Sequence, residues 1–201
     1  MDNYMDPVRG VDLAFWYILG ISMICLIGIT AVMIYFVVKY RRSKHPNPAD
    51  IRDNLNLEVV WTVIPTIIAL TMFWVGWKSY IGLRDVPENA LEIDVGGQMY
   101  SWIFIYPNEK ETEGELVVPL GKAVKLNITS WDVLHSFYIP SYRIKVDAVP
   151  GMDTYAWFMA DKEGEYDILC TEYCGIEHSY MLAKLKIIPE EQYLEWLEQE
   201  E

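Results

Sequence analysis

Two long apolar runs come first along the chain, and short alternating segments follow them. Leu13–Val38 is 26 residues without a formal charge, and Val59–Trp77 is a second uncharged stretch of 19 residues. A helix of 26 residues is about 39 Å long at 1.5 Å per residue, enough to cross the roughly 30 Å core of a bilayer. The pattern predicts two membrane-spanning helices, over about 13–38 and 59–80. The first run is too long for a signal-peptide core, and we expect it to be retained.

The polar connector between the two runs, residues 39–57, is mostly basic. It contains Lys39, Arg41, Arg42, Lys44 and Arg52 against Asp50 and Asp53, whereas Arg9 is the only basic residue before the first run. An excess of Lys and Arg marks the cytoplasmic side of membrane proteins. We therefore expect a helical hairpin, residues 1–90, with its connector in the cytoplasm and both termini on the outer side.

Residues 91–201 have the pattern of an all-β domain. The segments are short, alternate in polarity and are separated by Pro and Gly; they are 91–95, 100–106, 115–118, 123–128, 135–139, 155–159, 165–170 and 181–188. Such spacing predicts a sandwich or barrel. Pro189, Glu190 and Glu191 precede a short amphipathic run, which predicts a C-terminal helix over Gln192–Gln199.

All of the net charge lies in this second part. Residues 91–201 hold 21 acidic and 8 basic residues, giving −13, whereas residues 1–90 hold eight of each and sum to zero. A strongly acidic surface argues against nucleic acid as a partner and for a basic protein attracted over long range. Solubility is the alternative explanation of the same charge.

A short run near the C-terminus concentrates soft metal ligands. It holds Cys170, Cys174, His178 and Met181, and His135 lies upstream. Thiolate and thioether donors select copper, and imidazole accepts either of its oxidation states. One cysteine suffices for a mononuclear copper site, whereas two can bridge two metals. Tetrahedral zinc and a disulfide are the alternatives, and the thioether favours copper over both.

The spacing of these residues also fits one face of a helix, because they recur at i, i+4, i+8 and i+11. We favour a different arrangement, since residues 165–170 have a strand pattern and Gly175 interrupts the segment that follows. A strand, a loop and a second strand would direct the side chains to one point, with His135 contributed by a neighbouring strand. A cupredoxin-like β-barrel holds copper in this way.

The segment Cys170–Met181, CTEYCGIEHSYM, resembles the CuA-binding signature of subunit 2 of the haem–copper terminal oxidases. The resemblance covers nearly the whole chain. It includes the two-span hairpin and four further segments, which are 58–65 (EVVWTVIP), 102–107 (WIFIYP), 132–136 (DVLHS) and 145–151 (KVDAVPG).

That resemblance implies a binuclear copper centre. Cys170 and Cys174 would bridge two copper ions. His135 and His178 would each bind one ion, and Met181 would be a weak ligand of one of them. Axial ligands of this kind tune the redox potential.

The resemblance also implies roles outside the soft ligand set. The backbone carbonyl of Glu172 would be a weak copper ligand, and its carboxylate would face a magnesium ion at the border with the catalytic subunit. Lys145 and Asp147 resemble residues of the same border, and an ordinary turn before Pro150 and Gly151 is the alternative for both. Glu58 resembles the carboxylate at the inner mouth of the family's K-type proton pathway. The alternative is that Glu58 is a solvent-exposed residue at the start of a helix, where the helix dipole favours a carboxylate.

The aromatic segment departs from the family pattern. Many members read Gln-Trp-Tyr-Trp where this chain has Met99, Tyr100, Ser101 and Trp102. Tyr100 thus occupies the position of the tryptophan that receives electrons. Tyr100, Trp102 or another exposed aromatic would take that role, unless both residues only fill the strand core.

Taken together, the resemblance implies the electron-input subunit of a cytochrome c oxidase. Its copper centre would accept electrons from cytochrome c and pass them to haem in the catalytic subunit, which reduces oxygen to water and translocates protons. A copper-bearing subunit of a nitric oxide reductase and a membrane-anchored copper carrier are the alternatives. The chain has only three His, and its nine Met are scattered, which argues against a carrier with exposed, exchangeable metal.

Overall fold

The computed structural model describes residues 7–47 and 52–199, which form two compact units, residues 11–78 and residues 7–10 with 79–199. Two long helices occupy the N-terminal part, α1 (Pro7–Lys39) and α2 (Leu55–Arg84). Both predicted spans lie inside these helices. Residues 48–51 of the predicted connector, Asp50 among them, lie outside the described residues.

Both helices are long and apolar enough to cross a membrane. In the unit of residues 11–78 their apolar side chains face outward, as Leu26, Ile29 and Phe73 do. The two helices also share a polar contact, since the Tyr17 hydroxyl donates a 2.8 Å hydrogen bond to the Thr71 hydroxyl. An outward apolar surface of this kind is adapted to lipid, where every backbone group is satisfied within the helix.

Ten strands and a short helix follow in the described part of the chain, up to residue 199. They are β1 (Leu91–Gln98), β2 (Ser101–Ile105), β3 (Glu111–Glu113), β4 (Glu115–Pro119), β5 (Ala123–Ser130), β6 (His135–Ile139), β7 (Ile144–Ala148), β8 (Thr154–Met159), β9 (Gly164–Cys170), β10 (Leu182–Ile188) and α3 (Glu190–Glu198). They form two five-stranded sheets, in the orders β3-β2-β1-β5-β8 and β4-β10-β9-β6-β7.

The core lies between the two sheets. Strand β5 alternates along its length, so that Val124, Leu126 and Ile128 are fully buried. Trp102 from the first sheet meets Phe137 from the second edge-to-face, with ring centroids 5.0 Å apart. Burial of such large apolar surfaces is the main stabilising contribution to a sandwich of this size.

The predicted fold class is confirmed: two apolar helices precede a cupredoxin-like β-sandwich with a short C-terminal helix. Strand β6 has the predicted bounds, and α3 begins two residues earlier than predicted. Strands β3 and β7 were missed, and the interpretation of Lys145 and Asp147 as a turn is wrong, because both lie in β7. β3 and β7 are edge strands. β3 is short and polar throughout, so it shows no alternating pattern, whereas β7 does alternate and was interpreted as a turn because Pro150 and Gly151 follow it.

Candidate metal centre

Three neighbouring strands of the second sheet bring the predicted ligands together. His135 begins β6, Cys170 ends β9, and Met181 immediately precedes β10. β9 pairs with β6 on one side and with β10 on the other. Cys174 and His178 lie on the loop between β9 and β10. The segment is therefore a strand, a loop and a strand, and not the continuous helix that its spacing also permitted.

The donor atoms converge on the two thiols. Cys170 Sγ lies 3.9 Å from Cys174 Sγ and 3.9 Å from His135 Nδ1. Cys174 Sγ lies 3.5 Å from His178 Nδ1 and 3.9 Å from Met181 Sδ. A disulfide would bring the sulfurs to about 2.05 Å, so the structure holds Cys170 and Cys174 as separate thiols.

The cluster is largely shielded from water. His135 and Met181 have no exposed surface, and both cysteines are buried, whereas His178 is half-buried. Burial, with a smaller contribution from neighbouring Cys170, raises the pKa of the Cys174 thiol to about 11. A neutral Cys174 thiol is therefore favoured in the metal-free protein, and a metal ion must displace its proton.

The orientation of His135 is fixed by Asp132. The Asp132 Oδ1 atom lies 2.8 Å from His135 Nε2, and the backbone N–H groups of Met99 and Val133 donate to the same carboxylate. Partial burial acts to raise the pKa of Asp132, but the hydrogen bonds from His135 and the two backbone groups lower it below its usual value. The carboxylate keeps the proton on Nε2 and leaves the Nδ1 lone pair facing the thiols.

Sequence reasoning assigned no role to Asp132, although its motif was recognised. The available signal was a carboxylate three residues before a ligand histidine, a spacing at which the two side chains can meet. Metal-bound histidines almost always donate their second N–H to such a partner.

The donor set fits copper. Three of the donors, on His135, Cys170 and Cys174, lie within 4.8 Å of one another. Cys170 Sγ also lies 3.3 Å from the Glu172 carbonyl oxygen. A zinc site would be complete with two thiolates and two imidazoles, whereas here the fully buried thioether of Met181 also faces the cluster. Thioether and thiolate together are ligands that copper prefers.

The two candidate electron-input aromatics occupy different environments. Trp102 has no exposed surface and packs edge-on against His135 at 5.9 Å between centroids, so it offers no surface to a donor protein. Tyr100 is half-buried, and its hydroxyl accepts a 3.2 Å hydrogen bond from the Ile176 N–H. Its ring covers Gly175, where a Cβ atom would collide with the hydroxyl and where φ is +146°.

Lys145 and Asp147 lie beside the centre. β7 pairs with β6 so that Asp147 faces Ser136, the residue after His135. The Ser136 hydroxyl donates to Asp147 at 2.7 Å, and Lys145 Nζ lies 3.2 Å from the same oxygen. The hydrogen bond from Ser136 and the charge of Lys145 lower the pKa of Asp147. Glu172, on the neighbouring loop, is half-buried.

Glu58 lies in the other unit, in the first turn of α2. The side chain of Asn54 caps this helix by accepting a 3.1 Å hydrogen bond from the Leu57 N–H. A carboxylate here is favoured by the partial positive charge of the helix N-terminus, and the proton role predicted for Glu58 stays a prediction.

Comparisons with known proteins agree with this arrangement. Residues 92–188 match the family described as cytochrome c oxidase subunit II, periplasmic domain, and residues 7–77 match its transmembrane domain. The chain belongs to the cytochrome c oxidase subunit II family. The family is that of a subunit of an oxidoreductase complex, and its two domains account for a membrane-anchored protein with a copper-binding β-domain.

Individual relatives support the same family. The chain is 28% identical to cytochrome c oxidase subunit 2 of Cereibacter sphaeroides, over 91% of this chain and 73% of the relative. It is 34% identical to the Alkalihalophilus pseudofirmus subunit, over 96% of this chain and 60% of the relative. The solved periplasmic domain of subunit II (CoxB) from Bradyrhizobium japonicum aligns with a TM-score of 0.55 and 29% identity, covering 57% of this chain and 95% of that domain.

Proposed function

We propose that this chain is the electron-input subunit of a cytochrome c oxidase. Two copper ions would be held by Cys170 and Cys174 as bridges, by His135 and His178, and by the weaker donors Met181 and the Glu172 carbonyl. A bound pair of this kind supplies a one-electron redox centre whose charge is shared over both metals. The observation that carries the proposal is the convergence of five soft side-chain donors on a buried site next to one loop.

The protein's own contribution is rigidity. His135 is held by Asp132 and by the fully buried ring of Trp102, and Cys170 is held at the end of a strand paired on both sides. Ligands that keep their positions when the charge of the centre changes reduce the reorganisation that electron transfer requires. Burial of His135 and Met181 also excludes water and disfavours the carrier hypothesis, since a carrier must expose its metal.

We also infer the surrounding assembly. Electrons from cytochrome c would leave for haem in catalytic subunit 1, where oxygen is reduced to water and protons are translocated. The Glu172 carboxylate is suited to magnesium at that border, and Glu58 is suited to a proton pathway from the cytoplasmic side. The excess of Lys and Arg in residues 39–57 supports a cytoplasmic location for this connector. Both termini and the copper domain would then lie on the outer side of a respiratory membrane.

The charge of residues 91–201 supports a basic donor. Attraction between exposed charges weakens as ionic strength rises, because the Debye length falls from about 30 Å at 0.01 M to about 10 Å at 0.1 M. We therefore expect oxidation of cytochrome c by the assembled complex to slow steeply with added salt. A rate that does not change with salt would remove the electrostatic basis for this partner.

The test of the metal site is electron paramagnetic resonance of the full chain in detergent after copper is added. We expect two copper ions per chain and hyperfine splitting shared by two equivalent nuclei. A mononuclear signal would contradict the binuclear proposal and revive the carrier hypothesis. Failure to bind copper would revive zinc or a disulfide.

A further inference from the structure

Trp131 is a large aromatic side chain that the core does not use. It is 50% exposed and lies in the loop between β5 and β6, immediately before Asp132. Its position is nevertheless fixed. Its backbone N–H donates a 3.0 Å hydrogen bond to the Gly97 carbonyl, and its indole lies so close to Gly96 that a Cβ atom there would overlap the ring. An immobilised and exposed tryptophan is typical of a protein contact site.

Trp131 is also joined to the metal centre by a short path. One peptide bond leads to Asp132, whose carboxylate lies 2.8 Å from His135 Nε2. The opposite nitrogen of His135 faces Cys170 Sγ at 3.9 Å. Tyr100, by contrast, is half-buried, and its hydroxyl is engaged with the Ile176 N–H, two residues beyond Cys174. Trp131 is the more exposed of the two residues, and its path ends at a ligand through one peptide bond and one hydrogen bond.

The surface beside Trp131 is acidic. The indole lines an open cavity of about 460 Å³ together with Asp94 and Asp153. Among the described residues that line it, none is Lys or Arg. An apolar ring next to two carboxylates complements a partner that has lysines around an apolar edge, because charge guides the approach and apolar contact fixes the complex.

We propose that Trp131 is the contact residue for the electron donor, a basic haem protein, and that the Asp94–Asp153 cavity receives a lysine of that donor. One electron leaves the reduced haem and passes through the indole and the Asp132–His135 hydrogen bond to the copper centre. The donor is oxidised and the centre reduced by one electron, and no bond breaks. This inference rests on the proposed function and assigns its electron-input residue to a position other than Tyr100.

The test compares variants of the assembled oxidase and of the full chain. Trp131→Ala and Trp131→Phe are measured against Tyr100→Phe, with Leu194→Ala on α3 as a control that removes exposed apolar surface elsewhere. Three quantities are recorded: the second-order rate of reduction by reduced cytochrome c, the rate of reduction by a small ruthenium amine, and the dissociation constant of cytochrome c for the copper-free full chain.

We expect Trp131→Ala to weaken cytochrome c binding and to slow its reaction by about tenfold or more, as loss of a central interface aromatic does. Trp131→Phe should lose less of the affinity and of the rate. In both variants the rate of reduction by the ruthenium amine and the copper spectrum should not change. Gly96→Ala gives an independent variant, since it displaces the indole without removing it and should also slow the protein donor. Leu194→Ala should match the unmodified protein.

Two results would overturn the inference. One is a Trp131→Ala protein that keeps both the rate and the affinity. The other is a large loss in Tyr100→Phe that exceeds the loss in Trp131→Ala. Failure of the proposed function itself would be different, because the unmodified oxidase would then hold copper yet not be reduced by cytochrome c.

Discussion

The helical hairpin and the β-sandwich place the same residue types in opposite environments. Leu26 in the hairpin is 60% exposed, whereas Leu126 in the sandwich is fully buried. The charges differ as well, since the −13 of the chain lies entirely within residues 91–201. The hairpin is built for lipid and the sandwich for water. Precise geometry is therefore confined to the sandwich, where side chains pack in a closed core.

The largest expected difference between the two regions concerns their cysteines. Cys170→Ser or Cys174→Ser removes a soft bridging donor, so the signal shared by two copper nuclei should disappear. Loss of a residue that only orients a metal ligand costs roughly 10- to 100-fold in metal affinity or activity. The rate of cytochrome c oxidation should fall by more than this, because here a ligand itself is removed. Electron paramagnetic resonance and turnover of the assembled oxidase measure both effects.

Cys25→Ser is the matched control, because Cys25 is exposed on α1 in the hairpin. It should leave the spectrum and the turnover unchanged. An unchanged spectrum in either of the other two variants would contradict the bridging assignment.

The next expected difference between the two regions is the effect of a Leu→Ala substitution on the stability of the sandwich. Leu126→Ala opens a cavity in the sandwich core and should lower its free energy of unfolding by about 2–5 kcal/mol. Leu26→Ala, on an outward face of the hairpin, should change it by no more than about 0.5 kcal/mol, as substitutions remote from the core do. Denaturant unfolding followed by near-ultraviolet circular dichroism gives both values, and equal losses would show that the hairpin supports the sandwich core.

Within the sandwich, Asp132→Ala tests how His135 is held. Loss of the carboxylate frees the imidazole, so copper affinity should fall by about 10- to 100-fold. Competition with a chelator measures it. Glu163→Ala, which removes an exposed carboxylate from the same unit, should leave the affinity unchanged. An Asp132→Ala protein with full affinity would show that packing against Trp102 suffices to orient the ring.

Counted per pH unit, the smallest expected effect is a pH dependence of copper uptake. Burial raises the pKa of the Cys174 thiol to about 11, so the thiol is neutral below that pH and copper must release its proton. Apparent affinity should therefore rise with pH, by about tenfold per pH unit for each proton released. Chelator competition between pH 6 and 8 measures the slope, which Cys174→Ser should reduce. A flat profile would mean that the Cys174 thiol is already ionised.

Much of the fold follows from patterns along the chain. The uncharged runs predict α1 and α2, although each helix continues past its run because capping residues such as Asn54, and not apolar length, decide where a helix ends. The bounds of β6 were predicted as observed, and Pro140 marks the end of the strand because it lacks the N–H that the sheet requires. Edge strand β3 was not predicted because its three residues are all polar, and β7 was not predicted because the following Pro150 and Gly151 favoured a turn although its own residues alternate.

The candidate site likewise has features that the sequence predicts and features that only the tertiary structure decides. Residue type and spacing identify Cys170, Cys174, His178 and Met181 as soft ligands, since donor chemistry depends on the side chain alone. The distance between His135 and the thiols, the burial of Trp102 and the exposure of Trp131 depend on strand pairing between residues more than thirty positions apart. The local periodicity of the sequence predicts on which face of a strand a side chain lies. Which of these faces contact one another is decided only when the two sheets pack together.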